Sequence, residues 1–236
     1  MTFETKSALA VPSITVAQMR EVDRAMIEDF HIELIQMMEN AGGRLAELAR
    51  KLFLPQRVTV LAGPGGNGGG GLVAARHLHN RGVHVSVVLS TEGLDVVAAH
   101  QLDIVMRMGV PILHWPFPGD LVIDALIGYG LVGEPRARTA ELIAWANESP
   151  EPVLALDNPS GLDLNTGWVA QSCVRASATM TLALPKGGLA SSIVVGRLFL
   201  ADISVPNLLF EQMDISIPLL FDEGSIVELF PRSSAL

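Results

Sequence analysis

The 236-residue sequence predicts a three-layer α/β/α sandwich around a mostly parallel central sheet. Three observations predict it. From residue 57 onward, short apolar runs of strand length alternate with helix-length segments, the order of successive βαβ units. Apolar residues make up 49% of the chain and charged ones only 17%, which suits strands buried on both faces. Several of the apolar runs stop on a glycine or a carboxylate, and ligands of such sheets bind beyond the carboxyl ends of the strands.

Taken in order, residues 1–12 read as a flexible arm ending at Pro12, and residues 13–236 as one domain, a size that α/β folds reach without dividing. Thr15 caps a helix from Val16 to about Phe30, with Met19, Val22, Met26 and Ile27 on one face. A second helix runs from Glu33 to Leu52. Arg57–Ala62 is a buried strand, Gly63–Gly71 a tight loop and Leu72–Gly82 a helix. His84–Leu89 is the next strand, followed by a helix from Asp95 to Met108 that stops at Gly109. Further strands fall near Leu121–Ile123, Val153–Leu156, Thr179–Leu182 and Leu198–Leu200, with a helix around Thr139–Asn147. The tail after Pro206 is expected to add an edge strand or to cross to a partner subunit.

Charge and cysteine content exclude several classes of function. The net charge is −9, from 16 basic and 25 acidic residues, and no Lys/Arg cluster stands out. Nucleic acid and anionic membranes are therefore not expected partners. Cys173 is the single cysteine, so no disulfide can form within the chain and a reducing, cytoplasmic setting is expected. The start, Met1 to Lys6, lacks the basic and apolar regions of a signal peptide. The apolar stretch Leu121–Val132 is too short to span a bilayer and contains Asp124.

Seven glycines fall within the nine residues Gly63–Gly71. Gly63 to Gly68 satisfies the dinucleotide pattern GxGxxG after a strand, with Glu92 near the end of the second strand. Against that pattern, three more glycines follow, so the helix is expected to start only at Leu72. Gly69 stands where a phosphate-binding P-loop needs lysine, which rules that motif out. What remains is a run of backbone N–H groups ahead of a helix, suited to an anion such as phosphate.

Two strands end on carboxylates. Val122-Ile123 leads into Asp124, then turns through Gly128 and Gly130. Val153 to Leu156 leads into Asp157, with Ser160 three residues on in a Pro-Ser-Gly turn. The alternative for Asp124 is an ordinary cap of the next helix. Asn67, Asp124 and Asp157 are expected to converge at one sheet edge, and such oxygen donors suit a hard cation better than zinc. The six histidines show no metal-binding spacing, and His77 and His79 are assigned to the surface. Ser160 has no nucleophile-elbow pattern, so a Ser-His-Asp site is not indicated.

Together these segments resemble the NAD(P)H-hydrate epimerase family, the YjeF N-terminal domain. The resemblance rests on Met19 to Arg24, Met38 to Gly42, Gly63 to His77, Ile123 to Leu126 with Gly128 and Gly130, Asp157 to Asp163 with Thr166-Gly167, and Ala183 to Lys186. It spans roughly residues 15–206 and implies a Rossmann-like fold. It implies an isomerase of nicotinamide nucleotide repair, which interconverts the R and S forms of hydrated NADH or NADPH so that a separate dehydratase can act. The implied substrate contacts are Gly66, Asn67, Gly68, Gly69 and Gly70, then Gly128, Tyr129, Gly130, Leu131, Val132 and Gly133, and Asp157. The implied potassium ligands are Asn67, Asp124 and Ser160, with no tightly bound organic cofactor and a homodimeric assembly. Asp157 is the candidate general acid and base, and Asp157→Asn is expected to remove activity while leaving the fold intact.

The chain departs from the family pattern as well. Gly66 replaces an asparagine and Gly70 an aspartate, Tyr129 a threonine and Asn158 an aliphatic residue, while Val132 stands where relatives often carry a polar side chain. Two alternatives follow. One is a catalytically altered or inactive ligand-binding or dimerisation module, since the family includes non-enzymatic members. The other is a nicotinamide-dependent oxidoreductase, resting on the formal GxGxxG.

Overall fold

The computed structural model describes residues 3–189 and 192–230. In chain order the strands are β1 (Glu4–Ser7), β2 (Arg57–Ala62), β3 (His84–Leu89), β4 (Ile112–Leu113), β5 (Leu121–Ala125), β6 (Val153–Leu156), β7 (Ala178–Leu182), β8 (Arg197–Ala201) and β9 (Ile226–Phe230). The helices are α1 (Val16–Glu28), α2 (Leu34–Phe53), α3 (Gly66–His79), α4 (Val96–Arg107), α5 (Ala137–Glu148) and α6 (Asn207–Gln212). Among the described residues the strands form one nine-stranded sheet in the order β1-β9-β8-β7-β6-β5-β2-β3-β4. Every neighbouring pair is parallel except β8 with β9. This is the Rossmann-like α/β sandwich that the alternating pattern predicts.

Strand burial explains the legible runs. In β2, Val58, Val60 and Ala62 join a core with Leu45 and Leu48 of α2, Leu72 and Leu78 of α3, and Val105 of α4. Leu61 points the other way, to a core with Leu142, Ile143 and Ala146 of α5. Helices thus cover both faces. The chain leaves β2 towards β3 on one side and returns as β5 on the other. This switch point opens a crevice between the ends of β2 and β5, and it sets the glycine run beside the segment after Asp124.

Three expectations are corrected. First, the glycine run is not a loop. Helix α3 begins at Gly66, within the GxGxxG pattern, and continues unbroken to His79. Glycine disfavours helix by about 1 kcal/mol relative to alanine, but packing overrides propensity. A Cβ on Gly69 would sit 2.4 Å from Met38 Sδ, one on Gly71 2.5 Å from Ala125 Cβ, and one on Gly68 1.8 Å from the Gly63 carbonyl oxygen. Across the helix pair, a Cβ on Gly42 of α2 would lie 2.4 Å from Val73 Cβ and 2.5 Å from the Gly70 carbonyl. The extra glycines let α3 press against the sheet and α2 together.

Second, the N-terminal segment is not a free arm, because Glu4–Ser7 pairs in parallel with β9. Phe3 meets Phe199 edge-on at 5.2 Å, and Lys51 lies 5.5 Å above the Phe3 ring. Third, among the described residues the tail contributes no edge strand; β9 lies inside the sheet, between β1 and β8. The stretch from Asp214 to Pro218 forms no strand, and residues 231–236 lie outside the described part. His77 is part-exposed, in keeping with a surface position, and its Nε2 lies 2.7 Å from Glu39 Oε1.

Candidate active site

A cleft of about 390 Å³ opens at the carboxyl ends of β2, β5 and β6. Helix α1 gives it Met19 and Asp23, α2 gives Met37 and Met38, and the start of α3 gives Gly66, Asn67 and Gly70. Gly128, Tyr129 and Gly130 come from the segment after β5, and Leu156, Asp157 and Lys186 form the floor. Of the residues expected to touch ligand, Gly68, Gly69, Leu131, Val132 and Gly133 do not line this cleft. Gly68 and Gly69 face packed neighbours, as above, and Val132 projects into solvent at 90% exposure.

Asp157 immediately follows β6 with a left-handed backbone, φ 64°, one of the few conformations in which a non-glycine residue is tolerated when it is Asp or Asn. Its N–H donates to the Met180 carbonyl at 2.7 Å, which anchors the turn to β7. Lys186 Nζ donates to Asp157 Oδ1 at 2.5 Å and to the Leu182 carbonyl at 3.0 Å. Thr181 Oγ1 adds a longer contact to the same carboxylate oxygen, 3.3 Å. The second oxygen, Oδ2, has no protein partner among the described residues and is the one left to the cleft. The lysine is buried, so a charge of each sign is taken from water together.

Asp124 lies deeper than the ligand-facing edge expected of it. It is wholly buried. Its Oδ1 accepts from Ser160 Oγ at 2.6 Å and Leu126 N–H at 3.2 Å, and its Oδ2 from Ser160 N–H at 2.8 Å. Ser160 Oγ in turn accepts from Ile127 N–H at 2.8 Å. Burial pushes the Asp124 carboxyl up to about 6, against the pull of these three donors. No basic side chain pairs with it among the described residues. Asn67 packs against the backbone here: a Cβ on Gly128 would fall 3.3 Å from Asn67 Cγ. The Asn67 Nδ2 and the Asn158 Oδ1 are both buried without a hydrogen-bond partner. Asn158 spends its other amide atom on the Pro159 and Ile127 carbonyls, at 2.9 and 3.3 Å.

A further pair faces the cleft. Tyr129 Oη donates to Asp23 Oδ2, joining the turn after β5 to α1. Burial raises both pKa values, the Asp23 carboxyl and the Tyr129 phenol. Neither Lys186 nor Asp23 has a role assigned from the sequence. Lys186 carried a signal, a lone lysine in the otherwise apolar Ala183-Leu184-Pro185 segment. Asp23 carried none, being one acid among several charged residues of an amphipathic helix.

Comparison with known proteins agrees with this layout. A family model described as YjeF-related protein N-terminus matches residues 34–188. The chain is 44% identical over 213 residues to the NAD(P)H-hydrate epimerase of Dehalogenimonas lykanthroporepellens, covering 86% of each chain. It is 37% identical over 215 residues to a bifunctional NAD(P)H-hydrate repair enzyme of Moorella thermoacetica, covering 82% of this chain and 41% of that one. A crystal structure of a yeast protein is alike in fold, with a TM-score of 0.83 over 93% of this chain and 100% of the other at 21% identity. The matched span holds the glycine helix, both strand-end carboxylates and Lys186, and on that match the chain belongs to the YjeF-related N-terminal domain family.

Proposed function

We propose that this chain is an NAD(P)H-hydrate epimerase that interconverts the R and S forms of hydrated NADH or NADPH, with Asp157 as general acid and base. The observation that carries the reading is Asp157 itself, a carboxylate with one oxygen tied to Lys186 and the other left to a mostly apolar cleft. The relative named for this activity supports it. The substrate carries a hydroxyl on the carbon beside its ring nitrogen. A proton delivered to that oxygen lets it leave as water while the nitrogen lone pair forms a C=N bond. Water returning to the other face gives the second epimer. Lys186 holds the carboxylate in one orientation and balances its charge, and the apolar walls from Met19, Met37 and Met38 keep bulk water from the ring. The N–H groups that open α3 suit the phosphates of the dinucleotide.

A potassium ion belongs to the proposal, with Asn67, Asp124 and Ser160 as its holders. The donor set is of the right kind: Asp124 is a buried carboxylate with only neutral partners, and Asn67 and Ser160 can offer an amide and a hydroxyl oxygen beside it. When bound, the ion would supply a fixed positive charge that neutralises Asp124 under the floor of the cleft. A homodimer, a reducing cytoplasmic setting in keeping with the buried thiol of Cys173, and a separate dehydratase as consumer of the S form complete the reading.

The test is to incubate the purified chain with R-enriched hydrated NADH and follow the epimers by chromatography. Conversion at a rate well above the spontaneous one is expected. Binding of the hydrate without conversion would instead favour an altered binding module, a reading to which the missing carboxylate at Gly70 lends weight. Tight binding of intact NAD without turnover of hydrates would favour the oxidoreductase.

A further inference from the structure

Inversion at one carbon poses a problem that Asp157 does not solve alone. The hydroxyl leaves one face of the ring and water returns to the other, so proton transfer is needed on both faces. Asp157 and Lys186 sit on the floor, at the sheet edge. Tyr129 and Asp23 come from two other elements, the turn after β5 and helix α1, and line the same cleft. Because the phenol proton is already given to Asp23, the Tyr129 oxygen presents lone pairs that can accept from a substrate hydroxyl or a water. Gly128 and Gly130 flank Tyr129 in the chain, and its ring packs against the apolar clusters that hold Met19 and Val16 of α1, which fixes where the hydroxyl stands.

Resting on the epimerase reading, we propose that Tyr129, relaying its proton to Asp23, is the second acid–base group of the site and serves the ring face that Asp157 does not reach. The transfers balance. Asp157 takes a proton from solvent on its free oxygen and gives it to the leaving oxygen, the C–O bond breaks, and the ring nitrogen forms C=N. Water adds to the opposite face, its proton passes to Tyr129 Oη, the phenol proton moves to Asp23 Oδ2, and the C=N electrons return to nitrogen. The reverse epimerisation runs the same transfers backwards, and exchange with solvent resets both acids. The electrostatics agree: burial raises the Asp23 carboxyl, with Asp157 adding to the rise and Tyr129 and Lys186 opposing it. Burial likewise raises the phenol, followed by Asp23 and Asp157, with Arg20 opposing, so it stays protonated and able to relay.

The test measures kcat and KM for both epimers of hydrated NADH with wild type, Tyr129→Phe, Asp23→Asn and the double variant. Each single variant is expected to lower kcat about 10²-fold. KM should stay within about threefold, and the double variant should be no slower than Tyr129→Phe alone, because the two act as one unit. Losses confined to KM, losses that multiply in the double variant, or a kcat within about threefold of wild type in Tyr129→Phe would overturn the relay. A wild-type chain that converts no hydrate overturns the epimerase reading and the relay with it. A wild type that converts, beside an unimpaired Tyr129→Phe, overturns the relay alone.

Discussion

Lys186 Nζ stands 2.5 Å from Asp157 Oδ1, with the lysine side chain wholly buried and the aspartate nearly so. This contact changes what Asp157→Asn can be expected to do. The substitution is nearly isosteric, yet it strands a buried ammonium, and breaking a buried ion pair from one side typically costs about 3–5 kcal/mol. Asp157→Asn should therefore lose both turnover, by about 10²–10⁴-fold, and thermal stability. Replacing the pair together, as Asp157→Asn with Lys186→Met, should recover much of the melting temperature and none of the activity. Equal melting temperatures for Asp157→Asn and wild type would mean that the Thr181 and Leu182 oxygens suffice to hold the lysine.

The two carboxylates were legible because their strands are buried on both faces and read as unbroken apolar runs that stop on a charge. Lys186 was not, since its partnership with Asp157 exists only because β6 and β7 pair, Leu156 opposite Met180. Tyr129 and Asp23 are 106 residues apart and meet only when α1 folds over the sheet edge. The start of α3 was misread for a different reason. Glycine argues against helix locally, and the close crossing with α2 that demands glycine is visible only in three dimensions. The N-terminal strand Glu4–Ser7 carries no apolar residue to betray it, and its partner lies at the far end of the chain.

The helix crossing gives a matched pair of tests. Gly42 and Gly43 are neighbours within α2, yet a Cβ on Gly42 would strike Val73 and the Gly70 carbonyl, whereas one on Gly43 meets only the His77 ring at 3.7 Å. Gly42→Ala should force the two helices apart and lose about 1–3 kcal/mol. Gly43→Ala should be neutral or gain up to about 1 kcal/mol from helix propensity. Denaturant midpoints of the two variants, measured side by side, check the opposite signs; a destabilised Gly43→Ala would show that α2 tolerates no added side chain on either face.

The cation site predicts a thermal shift specific to potassium. A ligand that binds only the folded state at 100 times its Kd adds about 2.7 kcal/mol, which for a chain of this size raises the melting temperature by several degrees. Potassium chloride should do this and choline chloride at equal ionic strength should not. Ser160→Ala removes the hydroxyl that donates to Asp124 at 2.6 Å, and it should flatten the potassium response. An identical rise with both salts would reduce the effect to general screening and would remove the ion from the reading.

The two glycines that depart from the family pattern differ in what surrounds them. A Cβ on Gly66 meets nothing within 4 Å, whereas one on Gly70 would lie 2.8 Å from Leu156 Cδ2, at the floor of the cleft. Gly66→Asn should therefore leave the melting temperature unchanged and, by adding an amide at the mouth of the cleft, raise turnover of the hydrate. Gly70→Asp should displace Leu156 from its core position and lose about 1–3 kcal/mol. If the loss comes from that contact, shortening the neighbour with Leu156→Val in the Gly70→Asp background should return part of it, although the same change alone costs about 0.5–1.5 kcal/mol in an intact core. Melting temperatures and turnover for the four chains separate the effects. Gly70→Asp melting at the wild-type temperature would mean that Leu156 turns aside freely and that the glycine is not held by packing. A Gly66→Asn chain that keeps its stability but loses turnover would mean that this glycine serves a ligand other than the hydrated dinucleotide.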